Sequence, residues 1–301
     1  ATPVLCDVDP HDFNVTLAAL EARRTARTKA VIPVHLFGLP VAMGPLLDWA
    51  ASHGLHVVED AACGLGAVLD GTHVGRFGAC GVFSFHPRKA VTTGEGGMVV
   101  CEDAGLADTL RQLRAHGARP PSTPASRPMP EFLRIEYDLL GFNYRLTDLQ
   151  AALGVGQMRK AAQIQTLRQA RAEAYTAALQ GLDWLACPAV PAGVTHGWQS
   201  YVVRIRPEAF PGRDPDTLIA WRDRLMLALE AAGVSTRPGT HAVSGLALYR
   251  ERLGVDPLDF PGARAAEGLS LALPLFPTLT DAEQAHVVEQ LSVVFGAVGP
   301  P

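Results

Sequence analysis

Lysine is nearly missing from this chain. Of its 26 basic residues only Lys29, Lys89 and Lys160 are lysines, the rest being arginines. A guanidinium cannot lose its proton and attack a carbonyl as an amine can, so amine chemistry has three places to reside. Basic runs and basic stripes interleaved with aromatics are also missing. With a net charge of -4, this argues against a nucleic-acid partner. No apolar run approaches the ~20 residues of a membrane span. No C-x-x-C pair occurs, and the five cysteines (Cys6, Cys63, Cys80, Cys101, Cys187) are odd in number. That usage speaks against a disulfide framework or a zinc site, and for reduced thiols in a cytoplasmic protein. The start, Ala1-Thr2-Pro3-Val4-Leu5, lacks the basic region of a signal peptide. It also lacks an initiator methionine, so the chain is expected to begin inside a longer one.

What is present is 48% hydrophobic material over 301 residues, enough for two cores. The first half alternates β-branched runs with helical patterns. Strands are expected at Ala30–His35, His56–Asp60, Cys80–Phe85 and Gly97–Cys101. Helices are expected at Pro45–Ser52, with Gly54 beyond its end, and from Ala104 to about Ala115. Strand–helix alternation of this kind implies an α/β domain with a mostly parallel sheet. Ala118 to Pro130, rich in Pro, Ser and Arg, reads as a loop and a candidate lid. Thr147-x-x-Gln150 is a capping box opening a long helix that runs, with a break, to about Leu182, and Gly154 and Gly156 weaken its middle and allow a bend. Beyond about residue 160 the style changes. A strand at Tyr201–Ile205, a helix from Asp214-Pro215 to Gly233 and a last helix capped by Thr280-x-x-Glu283 suggest a smaller α+β domain. The expected division is 1–159 and 160–301.

Three segments carry chemistry. Phe83-Ser84-Phe85-His86-Pro87-Arg88-Lys89-Ala90-Val91-Thr92-Thr93-Gly94-Glu95-Gly96-Gly97 is a dense polar, glycine-containing loop between two apolar strands. Hydroxyls and backbone amides in such a loop can hold a phosphate. A loop lysine taken alone is most often a solvated charge. At the carboxyl end of a sheet strand, beside phosphate-capable groups, Lys89 becomes a candidate for a Schiff base. Val57-Val58-Glu59-Asp60-Ala61-Ala62-Cys63-Gly64 places an acid at the end of a buried strand. Asp60 is there either a turn residue or a carboxylate reaching a ligand over the sheet. Gly141-Phe142-Asn143-Tyr144-Arg145 precedes the capped helix, and Asn143 reads equally as a turn residue. His196, Arg237 and His241 are ambiguous between structural and ligand-facing roles. Gly64-Leu65-Gly66-Ala67-Val68-Leu69 lacks the third glycine of a dinucleotide loop, which disfavours a Rossmann dehydrogenase.

Together these segments resemble the DegT/StrS-type aminotransferases that use pyridoxal phosphate (PLP). The likeness runs from Val4-Leu5-Cys6-Asp7-Val8-Asp9-Pro10 to Leu273-Pro274-Leu275-Phe276-Pro277. It peaks at Glu59-Asp60-Ala61-Ala62 and in the Ser-Phe-His-x-x-Lys-x-x-Thr-Thr-Gly-Glu-Gly-Gly pattern. The resemblance implies the fold-type-I PLP-dependent transferase architecture, a large α/β domain with a smaller α+β C-terminal domain. It implies transfer of an amino group from an amino acid, glutamate for choice, to a keto-sugar nucleotide or similar ketone. It also implies roles: Lys89 as Schiff-base lysine and proton carrier, Asp60 as partner of the pyridine nitrogen, and Ser84 on the phosphate. Cys63 stands near the ring hydroxyl, where many members have glutamine. Asn143 resembles an asparagine reaching the phosphate in the neighbouring subunit, which implies a homodimer with shared sites. Two other readings are an inactive relative and a PLP-dependent sugar dehydratase, whose members replace the lysine with histidine. Members carry roughly a further quarter of chain ahead of the Val4 equivalent, supplying a Gly-Thr-x-Ala-Leu-type phosphate turn and a ring that stacks on the pyridine. This chain is therefore expected to be part of such a protein.

Overall fold

The computed structural model describes residues 1–120, 130 and 134–301. A four-stranded sheet organises the first half. Its strands are β1 (Ala30–Val31), β2 (His56–Asp60), β3 (Cys80–Ser84) and β4 (Gly97–Val100), in the order β1-β2-β3-β4. The first three run parallel and β4 returns antiparallel beside β3. Strand β1 is shorter than the run Ala30–His35 suggests. Pro33 has no N–H to give to the ladder, so pairing stops at Val31 and resumes as a single bridge between Val34 and Asp60. Pro33 still contributes its carbonyl, which accepts from the Asp60 amide at 2.9 Å.

Helix α1 (Met43–Ser52) crosses between β1 and β2. It buries Met43, Leu46 and Ala50 against Val31, Val41 and Val57, and Gly54 at φ +63° turns the chain into β2. Helix α2 (Ala104–Leu113) follows β4, with the Asp103 carboxylate capping it through the Leu106 amide. The expected loop from Ala118 is in part a strand, since Ala118–Arg119 pairs with Glu136–Tyr137. The candidate lid otherwise falls on 121–129, outside the described residues.

The capping box at Thr147 forms as expected and opens α3 (Asp148–Met158). The helix does not break at its glycines. It runs through Gly154 and Gly156 and stops at Arg159–Lys160, after which α4 (Ala161–Leu179) begins. Gly154 serves close packing instead: a Cβ there would stand 3.0 Å from the Thr93 methyl.

A second core gathers the C-terminal part. Strand β5 (Tyr201–Ile205), buried along its whole length, pairs antiparallel with β6 (Ser270–Leu273) and with the short strand Leu185–Ala186. Around it pack Tyr175 and Leu179 of α4, Trp221, Leu225 and Leu229 of α5 (Pro215–Ala231), and Leu291 and Val294 of α6 (Asp281–Val298). Asp214 caps α5 ahead of a proline at its first position, and the Thr280–Glu283 box caps α6. Among the described residues no helix is long and apolar enough to cross a membrane, and no cluster of three or more His, Cys, Asp or Glu side chains could hold a metal ion.

Candidate active site

Strand β2 ends in two adjacent acids that the pleat sends to opposite faces. Val82 pairs with Asp60 and Gly81 with Glu59. Partners in a ladder share a face, so Asp60 lies on the face of Val82 and, two residues on, of Ser84. Glu59 lies on the other.

The Glu59 side is closed. Its side chain is fully buried. It accepts from His35 Nε2 at 3.0 Å and from the amides of Gly75 at 2.6 Å, Phe77 at 2.7 Å and Gly78 at 2.7 Å. The Val41 amide donates to His35 Nδ1 at 3.1 Å, so the ring proton sits on Nε2 and points at the carboxylate. Burial alone would raise the Glu59 carboxyl, but the His35 hydrogen bond and those of Gly78 and Gly75 outweigh it and hold it below the ordinary carboxylate value. The 75–78 turn approaches closely enough that a Cβ on Gly81 would meet Gly75 Cα at 2.2 Å.

The Asp60 side is open. Asp60 Oδ1 accepts from the Ala62 amide at 3.0 Å, an Asx-type turn that leaves the second oxygen without a donor among the described residues. The backbone of Asp60 is held on both sides, its amide by the Pro33 carbonyl and its carbonyl by the His35 amide at 3.0 Å. Lys89 is half-buried and its Nζ lies 3.1 Å from Cys63 Sγ, three residues after Asp60. The Asp60–Cys63 turn and the loop of Lys89 thus meet at Cys63. Ser84, at the end of β3, takes the His86 amide on Oγ at 3.3 Å and keeps its hydroxyl hydrogen for another acceptor.

The turn after Lys89 is braced from within. Thr92 Oγ1 donates to the Phe85 carbonyl at 2.9 Å and Thr93 Oγ1 to the Glu95 carbonyl at 2.7 Å. Gly94 and Gly96 take positive φ, +82° and +152°, conformations that only glycine adopts without strain. The threonine hydroxyls therefore shape the loop, and Ser84 is the hydroxyl left for a ligand.

Asn143 is not part of this cluster. It is exposed and bridges Ala115 at the end of α2. It sits between Phe142 and Tyr144, whose rings stack at 4.9 Å while 53% and 71% exposed. Of the three ambiguous residues, His196 is packed into the interior and the other two lie at the surface. His196 is 4% exposed, stacks on Trp198 at 3.9 Å and accepts the Trp198 amide on Nδ1 at 2.8 Å. Burial pushes its pKa down to about 3, so it is neutral. Arg237 and His241 are exposed and face Glu230 at 3.7 Å and Glu267 at 3.2 Å. Sequence reasoning did not single out Gln199, whose side chain touches the lysine loop from 110 residues away. No local pattern marks such a contact.

Compared with known proteins, residues 1–292 match the model of the DegT/DnrJ/EryC1/StrS aminotransferase family. The chain belongs to this family. GDP-perosamine synthase of Caulobacter vibrioides is 36% identical over 295 residues, 98% of this chain and 73% of that protein. The aminotransferase TlmJ of Streptoalloteichus hindustanus superposes with a TM-score of 0.83 at 29% identity, covering 98% of this chain and 74% of its own. PseC of Helicobacter pylori, an aminotransferase of pseudoaminic acid biosynthesis, shares the fold with a TM-score of 0.87 at 23% identity over 98% and 74%. The expected fold-type-I architecture holds, and the protein is a PLP-dependent aminotransferase of a family acting on sugars. The donor set fits that cofactor: a primary amine, a half-satisfied carboxylate on the same face and a hydroxyl with its hydrogen free.

Proposed function

We propose that the enzyme moves an amino group from glutamate to a keto-sugar nucleotide, with Lys89 holding PLP. The observation that carries this reading is the reach of Lys89 Nζ across to the Asp60–Cys63 loop. When bound, PLP supplies the aldehyde that takes up the amino group and the ring that withdraws electrons from the reacting carbon. Asp60, with Oδ2 left over, would pair with the ring nitrogen and keep it protonated. The Ser84 hydroxyl would donate to the phosphate, and Cys63 would stand near the ring hydroxyl. Lys89 would hold the cofactor through its amine and, as a free amine, would move the proton on the donor's α-carbon. The retained lysine favours amino transfer over sugar dehydration.

The reading includes a homodimer in the cytoplasm, with Asn143 reaching the phosphate of the partner site. Its support is the apolar surface around Asn143. Phe142, Tyr144, Leu149, Leu153, Val155 and Met158 are all exposed, and large exposed apolar side chains on neighbouring segments are a mark of an interface. Phe142→Asp is expected to shift the protein from dimer to monomer in sedimentation velocity, and an unchanged dimer would remove this surface from the assembly. The proposed division at residue 159 is supported by the break before α4, whose Ala172, Tyr175 and Leu179 belong to the C-terminal core.

The test of the reaction is a product assay with glutamate, PLP and matched ketones, the same keto-sugar with and without its nucleotide. Aminated sugar nucleotide, together with 2-oxoglutarate, is the expected product. Amination of the free ketone at the same rate would put the nucleotide outside recognition.

A further inference from the structure

We propose that Gln199 is a positioning residue for Lys89. This rests on the assignment of Lys89 made above. Gln199 Nε2 donates to the Arg88 carbonyl at 2.7 Å, and Gln199 Oε1 accepts from the Ala90 amide at 3.1 Å. One side-chain amide thereby grips the peptide groups on both sides of Lys89. Its orientation is fixed by the network, because the carbonyl requires a donor and the amide an acceptor.

The grip matters because the rest of the turn holds only one end of this segment. Within it, the Lys89 amide bonds the His86 carbonyl at 2.9 Å and the Arg88 amide bonds His86 Nδ1 at 3.1 Å. Both secure the approach to the lysine. The Arg88 carbonyl and the Ala90 amide are fastened from outside, by Gln199. Together the bonds fix the backbone dihedrals of Lys89 and so the direction in which its side chain leaves toward Cys63.

Gln199 is itself anchored. Its amide donates to the Phe37 carbonyl at 2.9 Å, and its carbonyl accepts from Arg168 Nη1 at 3.1 Å. Arg168 is 6% exposed and spends the same nitrogen on the carbonyls of Trp198 at 3.0 Å and Leu275 at 3.3 Å. A line of contact therefore runs from α4 and the segment after β6, through Arg168 and Gln199, to the backbone of the lysine. The C-terminal part sets where Lys89 points.

The chemical consequence falls on proton transfer. A carbon acid gives up its proton only to a base held at the right distance and angle, and a displacement of about 1 Å can cost about 10²-fold in rate. Loss of the grip is expected to slow the step in which Lys89 takes the α-proton, with little effect on donor binding.

The experiment uses the PLP-loaded enzyme and its Gln199→Met and Gln199→Glu variants. The first removes both bonds. The second keeps an acceptor for the Ala90 amide and sets a carboxylate against the Arg88 carbonyl. The half-reaction with glutamate is followed by the cofactor's absorbance, with protiated and α-deuterated donor. The expected result is a rate lower by about 10- to 100-fold in Gln199→Met, an intermediate loss in Gln199→Glu, a larger deuterium isotope effect than in wild type, and KM for glutamate within about 3-fold. An unchanged rate and isotope effect would overturn the proposal. So would loss of the folded state in both variants, which would make Gln199 a support of the fold alone. Peptide mapping after borohydride reduction separates this outcome from failure of the underlying reading. Cofactor fixed to a lysine other than Lys89 in wild type overturns the assignment of Lys89. Cofactor on Lys89 throughout, with unchanged kinetics, overturns only the role of Gln199.

Discussion

Glu59 and Asp60 are neighbours on one strand and differ by one methylene, yet they end in opposite situations. Glu59 is fully buried and receives four hydrogen bonds. Asp60 is half-buried, receives one, and opens the turn whose Cys63 meets Lys89. The alternation of a strand is enough to separate them. One acid ties the sheet to the 75–78 turn, and the other is left with an oxygen to give. A carboxylate whose bonding is complete holds the fold, and one whose bonding is incomplete on a ligand face is where chemistry belongs.

The sharpest way to break this comparison is to remove the amine on the open side. Lys89→Ala is expected to lower amino transfer by about 10²- to 10⁴-fold, read as aminated product. The far-ultraviolet circular dichroism should stay unchanged, because among the described residues the side chain's one hydrogen bond is to Cys63. Next comes the pair of acids. Asp60→Asn keeps the acceptor for the Ala62 amide, so its unfolding free energy should stay within about 1 kcal/mol of wild type, while turnover falls about 10²-fold. Glu59→Gln should do the reverse first. It sets an amide group among four donors and should cost about 3 kcal/mol in urea unfolding, with activity lost as the fold is lost. Equal stability losses in the two variants would erase the distinction drawn here.

A smaller effect tests the closed regions by pH. His196 has its pKa lowered by burial from 6.5 to about 3. The unfolded chain takes up this proton below about pH 6.5 and the folded one does not, so its contribution to stability is full above that pH and is lost as pH falls toward 3. Between pH 7 and pH 5 the loss amounts to about 2 kcal/mol. The depressed Glu59 works in the same direction, its contribution going as pH falls through its folded pKa. His196→Asn, which keeps an acceptor for the Trp198 amide, should flatten the dependence between pH 7 and 5 by about that 2 kcal/mol. An unchanged slope would mean that His196 takes its proton while folded.

Much of this was legible in the sequence because the signals are local. The runs at His56–Asp60 and Tyr201–Ile205 are the strands observed. The capping boxes at Thr147 and Thr280 mark true helix starts, because each box closes within four residues. Asp60, Cys63, Ser84 and Lys89 lie in two short motifs, and the sheet brings those motifs together. What escaped depends on distance along the chain. Gln199 meets the lysine loop only after both halves fold. The role of Glu59 depends on a turn 16 to 19 residues later. The break in the long helix is found as expected, after Met158, but its position is not marked locally: the propensity dip at Gly154 and Gly156 leaves the helix intact, and Gly154 packs on Thr93. Tertiary contact overrode the local preference there.

The central claim, that the open face of β2 and the lysine opposite it form the cofactor site, is tested most directly by where PLP attaches. Reduction of the PLP-loaded enzyme with borohydride, followed by peptide mass mapping, is predicted to place the reduced cofactor on Lys89 alone among the three lysines. Attachment at Lys29 or Lys160, or no attachment, would contradict it.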